Sequence, residues 1–178
     1  MNYFSKMKGV TKSPHAVGAW EMVWSWIGGF LGILPVAYLN YVLFSQNDVV
    51  MIIGSFGASA VLIYGAVRSP LAQPRNLIGG HVFSAIVGVA AYKLCPGQLW
   101  LAAPLAVASA IVVMHATKTL HPPGGATALI AVIGSPKIHA LGYLYALVPV
   151  AVGALIMLAV ALLVNNLSKH RRYPEFWL

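Results

Sequence analysis

The sequence predicts an all-α, polytopic transmembrane bundle of about six membrane segments, some of them broken or re-entrant half-helices. Three observations carry that prediction. The first is composition: 60% of the 178 residues are hydrophobic and 8% charged, and mean hydropathy is +0.81, which no ordinary soluble domain shows. The second is pattern, because the apolar runs are continuous, the signature of spanning helices, and do not alternate as barrel strands do. The third is charge placement. Lys6, Lys8 and Lys12 precede the first apolar run, and Lys169, Arg171 and Arg172 follow the last, so the positive-inside rule puts both termini in the cytoplasm. A net charge of +8 arranged this way reads as topology and attraction to anionic lipid, and no nucleic-acid partner is expected.

A single transmembrane domain, 20–166, lies between basic tails 1–19 and 167–178. The first span starts at Trp20 and runs past Phe44. Trp20, Trp24 and Trp26 suit the interface, Gly28, Gly29, Gly32 and Pro35 suit a kink or close packing, and Glu21 is expected at the surface. Residues 45–48 make a polar turn, and 49–67 form a second apolar segment carrying the glycines and serine of GSFGASA. Residues 68–80, RSPLAQPRNLIGG, read as a cytoplasmic loop with two prolines, Arg68 and Arg75. The third span, 80–95, has His81 near its start and Lys93 near its end, and the fourth, 99–116, carries Trp100 and Pro104.

At His121, Pro122 and Pro123 the helix breaks, since proline is a poor interior residue but a good first-turn one. The apolar stretch that follows is about half the length of an upright crossing, so it is a half-helix. The last span is 140–164. Counting the short segment as a pass gives six and keeps both termini on one side.

An internal repeat underlies this order. Residues 57–62 read GASAVL and 125–130 read GATALI, an offset of 125 − 57 = 68. Each copy follows a proline-bearing helix and precedes a Ser-Pro turn, Ser69-Pro70 or Ser135-Pro136. The halves, about 20–95 and 99–166, each hold three passes, and an odd number makes the second half run inverted.

Helices that start at such breaks leave first-turn N–H groups unpaired and carry partial positive charge there, which suits a small anion. The expected site therefore takes Ser55, Gly57, Ala58 and Ser59 from one half. From the other it takes His121, Pro122, Pro123, Gly124, Gly125, Ala126 and Thr127, the two N-termini facing each other near the membrane midplane. Lys118 is an electrostatic candidate or a cation at a helix C-terminus that reaches water. Arg75 and Asn76 either orient the loop and the anion or serve as a positive-inside anchor.

Other chemistry is disfavoured. Cys95 is the one cysteine, so an internal disulfide and a thiolate metal cage are excluded. His81, His115, His121 and His139 show no metal-ligand spacing, and no metal or cofactor is expected. Glu21, Asp48 and Glu175 are the three acids, all near interfaces or tails, which argues against a cation carrier and an intramembrane acid–base hydrolase. The alternative to transport is a membrane scaffold or an intramembrane enzyme. Homo-oligomers are compatible with a bundle this small.

The stretches MHATKTLHPPGGATAL, GSFGASAVL and SPLAQPRNLIGGH resemble the HPP family of small integral membrane proteins, named for the His-Pro-Pro that stands here as His121, Pro122 and Pro123. The resemblance covers roughly 20–166. Some members are described as nitrite transporters of chloroplast and cyanobacterial membranes, so it implies small-anion transport, nitrite first, and we expect a bacterial inner membrane. The family is commonly described with four spans, against the six expected here. Some relatives carry a CBS module, and regulation through one is not expected.

Overall fold

The computed structural model describes residues 3–13, 16–44 and 53–178 and is all-helical over its ordered elements. The expected turn at 45–48, with Asp48, and the start of the segment expected from Val49 lie outside the described residues. After a short 3₁₀ turn at Tyr3–Met7 come α1 (Ala19–Leu39), α2 (Gly54–Ala60), α3 (Pro74–Leu94), α4 (Leu99–Ala116), α5 (Pro122–Ile133), α6 (Pro136–Leu141) and α7 (Val152–Leu167). Wider π turns extend α1 through Asn40–Phe44 and α2 through Val61–Gly65, and irregular turns at Gly142–Ala146 and Leu147–Ala151 join α6 to α7.

Among the described residues four stretches are long and apolar enough to cross a membrane: Ala19–Val42, Pro74–Leu94, Leu99–Ala116 and Pro136–Leu167. Gly54–Gly65 and Pro122–Ile133 are shorter. The expectation of six spans is thus refined to four full crossings and two half-helices.

Contacts at the helix ends trace the path. Arg171, beyond α7, pairs with Glu21 at the start of α1 at 2.7 Å. Arg68, beyond the α2 extension, donates to the His170 carbonyl, and Arg75 at the start of α3 donates to the Thr117 carbonyl at the end of α4. All these ends share one face, termed here the terminal face. At the far face, the end of α3 meets the turn before α7, with Tyr92 stacked on His139 at 4.0 Å and Lys93 over the Tyr143 ring at 4.7 Å. The six segments therefore alternate in direction, long–short–long, then long–short–long in the opposite sense.

Prolines set the helix starts. Pro74, Pro122 with Pro123, and Pro136 each open their helix, where the missing N–H has no intrahelical partner to lose. Small residues then set the packing. A Cβ on Gly88 of α3 would lie 2.5 Å from the Ala128 carbonyl oxygen of α5, and one on Gly124 would lie 2.6 Å from the Gly80 oxygen, so the α3–α5 contact is backbone against backbone. Ala102, Ala106 and Ala110 extend this seam along α4. Elsewhere Gly28 and Gly32 of α1 leave a slot for the Tyr64 ring, whose hydroxyl donates to the Met157 carbonyl of α7 at 3.0 Å.

Helix α4 ends in a paired closure: the Lys118 N–H donates to the His115 carbonyl and the Thr119 N–H to the Met114 carbonyl. This motif needs a left-handed residue, and Lys118 takes it at φ 56°. Lys118→Gly is expected to stabilise the protein by roughly 1 kcal/mol, because glycine adopts that φ without steric cost. Thermal unfolding in detergent checks this: a lower melting temperature would show that the exposed ammonium does more for the fold than its backbone costs.

Candidate functional site

Helices α2, α3 and α5 and the Gly142–Ala146 turn meet around a set of polar side chains sealed from solvent. Ser55, Ser59, His81, His121 and Thr127 are each at most 1% exposed. His81 lies seven residues beyond Pro74, the first residue of α3, or about 10 Å in at 1.5 Å per residue. Helix α3 has 21 residues, about 31 Å, so the set lies on the terminal side of its midpoint and about 5 Å from it.

His81 Nε2 is 2.6 Å from Ser59 Oγ, and its Nδ1 is 2.7 Å from Thr127 Oγ1. His121 Nε2 meets the same Ser59 oxygen at 2.8 Å, while its Nδ1 donates to the Leu71 carbonyl at 2.8 Å. Thr127 Oγ1 donates to Ser55 Oγ at 2.9 Å, and the Tyr145 hydroxyl donates to the Thr127 carbonyl at 3.2 Å. The two imidazoles lie edge to face with centroids 5.1 Å apart, and the Phe56 ring closes on His81 at 5.4 Å. Ser59 and Thr127 are equivalent in the repeat, since 127 − 59 = 68. His81 therefore joins the matching hydroxyls of the two half-helices through its two ring nitrogens.

The half-helices lie side by side and antiparallel, with Ser55 against Thr127 and Ser59 against His121. The expectation that their N-termini face each other is corrected by this geometry. Pro122 and Pro123 have no N–H, and the Gly124 N–H already donates to the His121 carbonyl at 2.8 Å, so the first three residues of α5 offer no spare donor. Gly57 and Ala58 are exposed on the outer face of α2, and a Cβ on Gly57 would meet nothing within 4 Å. Gly125 and Ala126 are partly covered, Gly125 lying toward Val107 of α4. Pro122 is exposed, whereas Pro123 and Gly124 are buried.

Asn76, Arg75 and Lys118 lie at the rim. Asn76 donates to the Leu120 carbonyl at 2.8 Å and Arg75 to the Thr117 carbonyl at 2.8 Å, so the first turn of α3 fixes the loop that carries His121. Lys118 points outward and is exposed. The loop holding Leu71 is clamped in turn by the C-terminal segment: the Tyr173 hydroxyl, kept protonated by burial, donates to the Ala72 carbonyl at 2.8 Å, and the Glu175 N–H donates to Gln73 at 2.8 Å. Beside this clamp a cavity of about 410 Å³ opens at the terminal face, lined in part by Glu21, Arg68, Ser69, His170 and Arg171.

His81 is the residue that sequence reasoning left out, although its place directly after Gly79-Gly80, where backbones pack closely, was a usable signal. Ser84 was also missed; it is buried, its hydroxyl has no hydrogen-bond partner, and it lies over Gly124. Among the described residues no third His, Cys, Asp or Glu joins the imidazole pair. Arg171, read from the sequence as part of the basic flank that sets topology and attracts anionic lipid, is buried with its side chain 2% exposed.

A family model described as HPP, transmembrane region, matches residues 14–174. Two proteins of Dictyostelium discoideum, each described as a transmembrane protein, are similar along almost the whole chain. One is 49% identical over 180 residues, covering 99% of this chain and 58% of the relative. The other is 44% identical over 182 residues, covering 99% and 64%. The chain thus spans about three-fifths of the length of these relatives. No solved structure matches.

Proposed function

The chain belongs to the HPP transmembrane family, and from that premise we infer that this multi-pass membrane protein passes a small inorganic anion, nitrite first. One observation carries the reading: two imidazole Nε2 atoms converge on a single hydroxyl oxygen, Ser59 Oγ, inside an apolar bundle. Polar groups are costly at that depth and mark ion paths. An oxygen of the anion that displaces the Ser59 hydroxyl faces both Nε2 atoms and accepts an N–H from each when His121, whose Nδ1 hydrogen is committed to Leu71, is protonated, with the spare Ser84 hydroxyl one turn further along α3. The substrate set proposed here therefore centres on Ser55, Ser59, His81, His121 and Thr127, with Pro123 and Gly124 shaping its wall.

Charge at the rim supports an anion. Arg68, Arg75, Lys118, Lys169 and Arg172 lie at the terminal face, where Arg171 is paired with Glu21, against Lys93 and Lys137 at the far face. This bias attracts anions to the vestibule and, by the positive-inside rule, makes the terminal face cytoplasmic. A bacterial inner membrane fits that orientation, and the Dictyostelium relatives are transmembrane proteins of a eukaryote.

A second reading rests on the same serine. A hydroxyl within 2.6 Å of an imidazole nitrogen resembles a nucleophile beside its base, the arrangement of a serine hydrolase. Purified protein in liposomes separates the two. The transport reading expects nitrite uptake above protein-free vesicles, in preference to chloride, and no labelling of Ser59 by a fluorophosphonate probe. Labelling at Ser59 without flux of nitrite, nitrate or chloride would establish the enzyme instead.

A further inference from the structure

The hydrogens in the cluster can be placed one by one, and the count leaves room for one more. Leu71 offers a carbonyl, so His121 Nδ1 carries a hydrogen. Each hydroxyl has one hydrogen, and each neutral imidazole has one. When Thr127 gives its hydrogen to His81 Nδ1, the contacts close with both rings neutral: His81 Nε2 donates to Ser59, and Ser59 donates to His121 Nε2. When Thr127 gives its hydrogen to Ser55 Oγ, along the geometry seen here, His81 Nδ1 must carry one itself. The same contacts then hold one extra proton.

That proton has two equivalent homes. On His81, both ring nitrogens donate and Ser59 donates onward to His121 Nε2. On His121, both its nitrogens donate and Ser59 donates back to His81 Nε2. The two forms interconvert by passing one hydrogen from His81 Nε2 to Ser59 Oγ while Ser59 passes its own to His121 Nε2, so nothing else is gained or lost.

The surroundings make this the one countercharge available in the cluster. Facing the rings are the hydroxyls of α2 and α5, the Phe56 ring, the Ser84 hydroxyl of α3, the Leu71 carbonyl, and Tyr145, whose hydroxyl is engaged on a carbonyl. Among the described residues no carboxylate, ammonium or guanidinium bonds into this set. An anion arriving from the basic rim thus meets no fixed positive charge, and an unpaired charge at that depth is expensive.

Resting on the anion-transport reading, we propose that each anion crosses together with one proton held by His81 and His121 through Ser59. Transport is then electroneutral and follows the pH gradient. The test is full-length protein in liposomes with an internal pH dye, a potassium gradient and valinomycin to set the voltage, and nitrite as the probe, with nitrous acid leak subtracted from protein-free vesicles. The expected result is one proton entering per nitrite at a rate independent of voltage. His81→Gln and His121→Gln should each lower the coupled flux about tenfold or more, and Ser59→Ala, which removes the bridge with little change in volume, tests the same point if a histidine variant fails to fold.

Nitrite flux that follows the voltage and brings no protons overturns the proton proposal and leaves anion transport standing. Coupled flux unchanged in both Ser59→Ala and a folded histidine variant overturns it as well. No flux of any anion from monodisperse protein overturns both readings.

Discussion

Replacing Arg171 by methionine is expected to destabilise the protein by about 3–5 kcal/mol, the cost of stripping a buried charge network of its cation. The guanidinium donates to the Tyr64 carbonyl and Asn165 Oδ1 through one nitrogen. Through the other it reaches the Glu21 carbonyl and Ser25 Oγ, and it pairs with the Glu21 carboxylate at 2.7 Å. The carboxylate is 34% exposed, so water screens that pair and most of the loss falls on the carbonyls and the buried Asn165. Methionine keeps the apolar stem while leaving these acceptors empty. Arg171→Lys should recover less than half, because a single ammonium cannot reach acceptors arranged for a planar fork. Thermal unfolding in detergent should show a drop of roughly 10 °C for methionine. An unchanged melting temperature would mean that α1, α2 and α7 do not depend on this joint.

Gly88→Ala is expected to cost about 2 kcal/mol or more, because the new methyl meets rigid atoms and not a side-chain tip. It would sit 2.5 Å from the Ala128 oxygen and 2.8 Å from the Ala131 Cβ, forcing α5 away from α3. Gly57→Ala makes the contrast. That position is helical, exposed and open, so alanine should be neutral or stabilising by up to about 1 kcal/mol, and nitrite flux should persist. Loss of flux in Gly57→Ala with an intact fold would return the substrate to the outer face of α2 and contradict the site described here. Equal stability of Gly88→Ala and the parent would show that the α3–α5 backbone contact is looser than the geometry requires.

Much of this molecule was legible from residue order because a bilayer imposes few solutions on a chain. Continuous apolar runs must be helices, since no other open structure satisfies its backbone in lipid. Proline announces where a helix starts, and Pro74, Pro122, Pro123 and Pro136 do so here. The length of apolar sequence after His121 marked a half-helix, and the GASAVL and GATALI copies marked the inverted plan. The glycines of GGH and PPGG signalled a close approach without naming the partner.

What residue order left open was rotation and register. A helix that is apolar on every side carries no hydrophobic phase to say which face turns inward, so Gly57 and Ser59 looked equally eligible. Only packing put Ser59 inside and Gly57 outside, and only packing set α2 antiparallel beside α5 instead of end to end. The same order of residues that places two prolines at the start of α5 also removes the donors an anion needs there, a consequence visible once the Gly124 N–H is found bonded to His121. His81 entered the site from a third helix, 46 residues before Thr127, and no local pattern links them. Composition and helix breaks determined that this chain is a membrane bundle with paired half-helices. The tertiary structure decided which hydroxyls met which imidazoles, because a hydrogen-bond partner is fixed by angle and distance across helices that the sequence alone leaves free to turn.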